Sequence, residues 1–315
     1  MIVPPQTRQG TLAKARTLIE ALPFMREHRD EVIVVKYGGA AMDGAGLAAS
    51  FAQDVALLQS AGIVPVIVHG GGPQVSRVSE RLGIETTFVD GSRVTDAETL
   101  DVATMVLAGT LNTKVVGALV SDGVPAVGLS GVDGGLLLAR RQTAPDLGLV
   151  GEVIHVNAEV LRTLTERRFV PVVAGIAVDG ATGQAYNVNA DVVASELAIA
   201  LSAEKLVFIN DVPGLIGPTG ELLSELSARQ CLDLLAQMEV VSGGMIPKLE
   251  SAVRALDAGV TRVHLVDGRV AHSLVLELFT PEGVGTMITP DSDRADTAVT
   301  GAALDRLMRE QEASS

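Results

Sequence analysis

The chain has 315 residues, a formal net charge of −14, a pI near 4.8 and one cysteine, Cys231. That length fits one large α/β domain or two packed lobes. An acidic chain with no Lys/Arg run longer than a pair is not built for nucleic acid, and a lone cysteine excludes a disulfide framework and any Cys-based zinc site.

At the N-terminus, "MIVPPQTRQG" has neither the basic nor the apolar region of a signal peptide. No apolar run approaches the ~20 residues of a membrane span, so a soluble cytoplasmic protein is expected. Residues 11–28 carry helical apolar spacing (Leu12, Ile19, Leu22), and Pro23 is expected to kink that helix. Standing ahead of the first strand, it should pack on its own domain or on another subunit. Strands are predicted at 31–37, 63–69, 125–130, 169–176, 205–210 and 262–268, with helices such as 47–62 and 189–203 between them. Continuous β-branched runs suit strands buried on both faces, and helical crossovers make the sheet largely parallel. The fold class is therefore α/β, a sandwich around a largely parallel main sheet. Cys231 lies in a predicted helix as a small buried hydrophobe. The tail, 291–315, starts polar and is expected to be partly disordered.

The glycines cluster where α/β sheets bind ligands, beyond the carboxyl ends of strands. Gly38 and Gly39, Gly70 to Gly72, Gly128, Gly131 and "NDVPG" (210–214) all fall there. Within "VIVHGGGPQ" (66–74), three consecutive glycines could form a phosphate cradle, an esterase oxyanion hole or a tight turn. An esterase also needs a G-x-S-x-G elbow, and "GLSGV" (128–132) ends in Val132 instead of glycine, with no Asp/His pair standing out. Neither a P-loop nor a G-x-G-x-x-G turn is present. A glycine turn opening into a helix still aims N–H groups at an anion. Of the five lysines, Lys14, Lys36, Lys114, Lys205 and Lys248, only Lys36 and Lys248 adjoin glycine-rich segments.

Six segments, in order, resemble the signatures of the amino acid kinase family in its acetylglutamate kinase branch. They are "VVKYGGAAM" (34–42), "VIVHGGGPQVSRVSERLG" (66–83), "GSRVTDAETLDV" (91–102), "YNVNAD" (186–191), "NDVPG" (210–214) and "GGMIPKLESAVRALDAGV" (243–260). The resemblance implies an open αβα sandwich, with residues 31–203 as the acyl-acceptor lobe and 204–290 as the nucleotide-binding and regulatory lobe. It implies transfer from ATP to the γ-carboxylate of N-acetyl-L-glutamate, the second step of the acetylated arginine pathway. By motif, Lys36 and Lys248 are the transition-state lysines and Asp191 the carboxylate that organises them. Gly71 and Gly72 are backbone donors near the substrate, while Arg93 and Asn187 hold its α-carboxylate. Gly38, Gly39, Asp211, Gly214, Gly243, Gly244 and Met245 fall in the nucleotide-binding segments.

Elementary chemistry agrees with these roles. Phosphoryl transfer asks for positioning and neutralisation of charged oxygens, which two lysines supply. A γ-carboxylate of pKa ~4.3 is already ionised at neutral pH, so no general base is needed, and His69 stays open between a structural turn residue and a functional one. Two lysines in one pocket repel, and a carboxylate between them keeps both charged. Mg2+ is expected on the ATP phosphates, held largely by water and without a protein ligand. The chain departs from the family at Ala40, where relatives usually have Asn, at Asn210, where they more often have Thr, and at Val132, where they often have Lys or Arg.

"HSLVLELFTPEGVGTMI" (272–288) resembles the C-terminal signature of arginine-inhibited members, which also carry a kinked N-terminal helix that links dimers into a hexamer. The resemblance thus implies feedback inhibition by arginine near His272, Glu282 and Gly285, and residues 1–30 as an oligomerisation and regulatory helix. A homo-oligomer and a PII-type regulator are the implied partners; no nucleic acid or membrane partner is expected. Two alternatives remain: a sister kinase acting on an aminoadipate or glutamate derivative, and a catalytically silent nucleotide or amino-acid sensor.

Overall fold

Helix α1 (Pro5–Glu27) leads into β1 (Val32–Tyr37), α2 (Ala45–Ser60), β2 (Val64–His69) and α3 (Gly72–Leu82). A hairpin, β3 (Phe88–Val89) and β4 (Ser92–Arg93), precedes one long helical run. That run comprises α4 (Ala97–Thr104), a π-helical segment (Met105–Leu111) and α5 (Asn112–Ser121). Next come β5 (Ala126–Ser130), β6 (Leu137–Thr143), β7 (Asp146–Val156), α6 (Ala158–Thr165), β8 (Val170–Ala174), β9 (Ile176–Val178), β10 (Ala185–Asn187) and α7 (Ala190–Ala200). The chain continues with β11 (Lys205–Asn210), β12 (Glu225–Ser227), α8 (Ala228–Ala236), α9 (Met245–Asp257), β13 (Arg262–Asp267), α10 (Ser273–Phe279) and β14 (Thr286–Thr289). This computed structural model describes residues 5–38, 42, 44–89, 92–217, 220–236 and 244–291. Gly39, Ala40, Gly243 and residues 292–315 lie outside the described residues.

The main sheet has eight strands in the order β12-β14-β13-β11-β1-β2-β8-β5. From β13 to β5 every pairing is parallel, and only β14, with β12 beside it, runs the other way. A smaller four-stranded sheet, β10-β7-β6-β9, closes on itself beside it. All six predicted strands are present. The 169–176 run divides, because Gly175 interrupts it: its carbonyl accepts from the Val188 N–H at 2.9 Å, and a Cβ there would lie 2.5 Å from the Val188 carbonyl oxygen.

Strand alternation sorts the β-branched runs onto two helix layers. Val34, Val66, Val68, Leu206 and Phe208 face α7 and α9, while Ile33, Val35, Ile67, Val207 and Ile209 face α2, α5 and α10. The β1 parity that puts Val34 on the α7/α9 side also puts Lys36 there, at the carboxyl end of the strand. Cys231 on α8 is fully buried as expected, and burial pushes its thiol up to about 12.

Helix α1 runs on through Pro23. Its Ala21, Phe24 and Met25 pack on the α2/α10 side, whereas Leu18, Ile19 and Leu22 are 66%, 67% and 40% exposed. The expectation that no apolar run reaches membrane-spanning length needs correction: Ala97–Ser121 is long and apolar enough by length and composition. Its Val106, Leu107, Leu111, Val115 and Leu119 are nevertheless buried against the sheet and its helices. A helix that packs on several neighbours can be apolar around much of its circumference.

If that run is core, Leu119→Ala should cost about 2–5 kcal/mol in urea unfolding. Val120→Ala, at a position 55% exposed, should stay within about 0.5 kcal/mol.

Candidate active site

The carboxyl ends of β1, β2, β8 and β11 open into a cleft of ≈ 990 Å³. Its centre is a buried carboxylate between two ammonium groups. Asp191 Oδ1 lies 3.0 Å from Lys36 Nζ, and Oδ2 accepts from Lys248 Nζ at 2.9 Å. Asp191 stands in the first turn of α7, where the Asn189 side chain caps its N–H at 2.7 Å and the helix dipole favours a negative charge. Lys36 comes from the end of β1, its amine folded over Gly38, where a Cβ would sit 2.8 Å from Nζ. Lys248 projects from the first turns of α9 and lies 5.0 Å from the Phe208 ring. Helices α7 and α9 are tied by Ser195 Oγ donating to the Ser251 carbonyl at 2.9 Å.

Burial pushes the Asp191 carboxyl up, but the charges of Lys36 and Lys248 outweigh it and hold it below its ordinary value. Lys248 is lowered, by burial first and by the like charge of Lys36 second, against the pull of Asp191.

At the end of β2 the glycine turn enters α3. Gly70 N–H is spent on the Tyr37 carbonyl at 2.9 Å. The first N–H groups of α3 have no intrahelical acceptor, so the turn presents Gly71 and Gly72 to the cleft, which both line. At Gly71 any Cβ would overlap Leu107 and Leu111 of the π-helical segment, so only glycine fits. Arg93 is 9% exposed and lies 4.8 Å from the Phe88 ring; its Nη2 donates to the Gly72 carbonyl at 2.9 Å and to Ser76 Oγ at 2.8 Å. Its Nη1 is buried with no partner among the described residues. Asn187, at the end of β10, donates to Thr95 Oγ1 at 3.3 Å, and Thr95 Oγ1 donates to the Arg93 carbonyl at 3.1 Å. Thr95, not singled out in the sequence, thus links the two predicted α-carboxylate ligands.

Asp211, Gly244 and Met245 line the same cleft. Gly214 does not: it packs on β14, where a Cβ would overlap Thr286 Oγ1. His69 lines the cleft but is fully buried. Glu196 and Arg254, paired at 2.7 Å, also line it, and nothing in their motif context marks them.

The three residues assigned to an effector flank the two ends of α10. His272 stands at the N-terminal boundary of α10, with Nδ1 2.6 Å from Asp54 Oδ1 of α2. Glu282 and Gly285 belong to the loop beyond the other end of that helix. Gly285 N–H donates to Glu277 Oε2 at 2.9 Å, and Glu277 Oε1 is 2.7 Å from His264 Nδ1 in a buried pair.

A parallel α/β sandwich with cationic side chains and a glycine turn at its strand ends defines a phosphoryl-transfer class of protein. The model of the amino acid kinase family matches residues 31–267. The chain is 50% identical over 291 residues to an acetylglutamate kinase of Symbiobacterium thermophilum, covering 89% of this chain and 99% of that one. It is 48% identical over 295 residues to that of Aquifex aeolicus, covering 88% and 98%. Among solved structures, N-acetylglutamate synthase from Neisseria gonorrhoeae, complexed with coenzyme A and N-acetyl-glutamate, superposes with a TM-score of 0.79 at 30% identity. That match covers 88% of this chain, which spans 63% of the synthase chain. Carbamate kinase from Giardia lamblia shares the fold, with a TM-score of 0.60 at 15% identity, covering 83% of this chain and 99% of that one. The chain belongs to the amino acid kinase family, and within it to the acetylglutamate kinases.

The buried charge triplet makes a stability prediction. Asp191 is depressed, so its contribution is complete above its ordinary pKa of 3.8 and is lost as pH falls through its lower folded value. In Asp191→Asn two ammonium groups face each other without a counter-charge, at a cost of about 3–5 kcal/mol at neutral pH. Because Lys248 titrates below 10.5, that cost should shrink as pH rises toward 10. Urea unfolding of both proteins from pH 6 to 10 measures it, and a cost independent of pH would refute the charge argument.

Proposed function

We propose that this cleft transfers the γ-phosphoryl group of ATP in line to the γ-carboxylate of N-acetyl-L-glutamate, giving ADP and N-acetylglutamyl 5-phosphate. Family membership supplies the activity, ATP-dependent phosphorylation of N-acetylglutamate; the residue roles are inferred from geometry. The observation that carries them is the pair of lysines held by one buried carboxylate beside a glycine turn at a helix N-terminus.

The acceptor is already an anion, so the protein has to bring two negative groups together and neutralise what develops between them. Lys36, between Gly38 and the Gly70 turn, stands on the acceptor side with Arg93 and Asn187. Lys248, with Gly244 and Met245, stands on the nucleotide side. Gly71 and Gly72 N–H groups face the transferring oxygens and need no reorganisation during reaction. The Arg93 fork has Nη1 left for the α-carboxylate. Mg2+ carried on the ATP phosphates supplies further neutralisation; Asp191 does not fit as its ligand, since both its oxygens are taken by ammonium groups. On this reading 31–203 forms the acceptor lobe and 204–290 the nucleotide lobe, and the chain acts in the cytoplasm.

ADP release should be far faster with N-acetyl-L-glutamate than with glutamate, aspartate, carbamate or UMP; no rate with N-acetyl-L-glutamate would end the proposal, and a preference for an aminoadipate derivative would favour a sister kinase. Lys248→Ala should lower kcat by about 100-fold or more with a smaller change in KM. Gly72→Ala, whose methyl meets no protein atom within 4 Å but projects where the phosphoryl group must approach, should lower kcat about tenfold or more.

Feedback inhibition by arginine is the regulatory part of the proposal. Its support is that Glu277 holds the loop at Val284 and Gly285 while Asp54 of α2 accepts from Leu274 and Val275 N–H groups and from His272 at the start of α10. A ligand at that loop would act on α10, and through Asp54 on the helix that follows Lys36. The exposed Leu18, Ile19 and Leu22 support α1 as an inter-subunit contact. Millimolar arginine should inhibit the full chain, and removal of residues 1–28 should weaken that inhibition and reduce the oligomer seen by light scattering. Undiminished activity of the intact chain would sink this part alone.

A further inference from the structure

His69 ends β2 one residue before the glycine turn, its side chain fully buried. Its Nδ1 lies 2.9 Å from the Gly70 carbonyl oxygen. A carbonyl only accepts, so Nδ1 carries the proton. The other ring nitrogen, Nε2, lies 3.2 Å from Asn112 Nδ2. That amide also donates to the Val172 carbonyl at 2.9 Å, while Asn112 Oδ1 abuts Gly128, where a Cβ would overlap it. Asn112 therefore directs one proton at Val172 and the other between His69 Nε2 and the more distant Leu129 carbonyl at 3.4 Å, and Nε2 accepts. The ring is neutral and its tautomer is set from both sides; burial, which lowers its pKa, acts in the same sense.

The Gly70 carbonyl and the Gly71 N–H share one planar trans peptide and point in opposite directions. Holding the carbonyl against the ring points the N–H away from it, on the stretch that lines the cleft. Leu107 and Leu111 occupy the far side of Gly71, and the residue that follows their π-helical segment is Asn112. The same element thus clamps the turn by packing and fixes the histidine by hydrogen bonding. π-Helical segments inside α-helices are often found at functional sites, and this one meets the glycine turn.

We infer that His69 is a positioning residue: its neutral Nδ1–H tautomer, fixed by Asn112, holds the Gly70–Gly71 peptide so that the Gly71 N–H faces the transferring phosphoryl group. The inference rests on the cradle role of the turn proposed above. Asparagine at 69 places an amide nitrogen where Nδ1 stands, whereas glutamine places one where Nε2 stands.

His69→Gln should lower kcat about 10- to 100-fold, with KM for ATP and N-acetyl-L-glutamate within about twofold. His69→Asn should recover most of that loss. In the full chain labelled with 15N-histidine, the resonances absent from His69→Gln should report a neutral Nδ1–H ring from about pH 6 to 8. Asn112→Asp, which offers Nε2 an acceptor instead of a donor, should move the proton to Nε2 and lower kcat as well. It also serves if His69→Gln fails to fold. Equal losses in His69→Gln and His69→Asn, an Nε2–H ring in the unaltered protein, or unchanged kcat in a folded His69→Gln or Asn112→Asp would overturn the inference. Gly72→Ala separates the two levels: if it lowers kcat while His69→Gln does not, only the role of His69 falls, and if neither does, the cradle falls with it.

Discussion

One carboxylate holds the catalytic end of this molecule together. Two ammonium groups brought into a buried cleft repel each other and lose their hydration, and either alone would shed its proton or move into water. Asp191 removes that difficulty by giving one oxygen to each. The three groups come from three elements: Lys36 from a central strand, Asp191 from the helix covering it, and Lys248 from the next helix outward. The arrangement therefore depends on the order of the sandwich itself. The parity of β1 must turn Lys36 toward α7, α7 must begin at the level where β1 ends, and α9 must pack on α7. The Ser195–Ser251 hydrogen bond and the apolar layer of Val193, Leu197, Leu249 and Ala252 secure that last requirement.

Much of this was legible in the sequence because the physics is local. Runs such as "VIVVKY" and "KLVFIN" each carry four consecutive apolar residues, the pattern of a strand covered on both faces. Glycines at the ends of those runs mark where backbone must approach a ligand or a side chain must fold back, as at Gly38 and Gly71. Lys36, Lys248 and Asp191 were found through their motifs, and the fold brings all three within contact distance.

What escaped depends on distant partners. Asn112 sits in an apolar helical run, "VLAGTLNTKVVGALV", where a lone amide is a signal that something polar waits opposite. Its counterparts are His69, Val172 and Leu129 on three different strands. Thr95 is similar: its hydroxyl, bonded to the Arg93 carbonyl, accepts from Asn187, 92 residues further along the chain. Gly214 differs from its motif neighbours. Asn210, Asp211 and Val212 of "NDVPG" line the cleft, whereas its last glycine packs against Thr286. A motif is a linear string, and its residues need not share one role.

The main sheet also constrains how the site can move. Lys36 and Asp191 belong to the first two thirds of the chain and Lys248 to the last, yet β1 and β11, the strands that join these parts, are paired in parallel along Ile33 to Lys36. A rotation that opened the cleft by breaking that seam would expose the hydrogen bonds of two largely buried strands. A rotation about the seam would leave them intact but would have to part α7 from α9, breaking the Ser195–Ser251 hydrogen bond and the 2.9 Å contact between Lys248 and Asp191. Opening the cleft and separating the charges are then the same event. On the proposed reading, in which nucleotide phosphates give Lys248 a second anionic partner, a bound nucleotide would lessen the cost of that separation and so couple occupancy of the cleft to the freedom of the two halves.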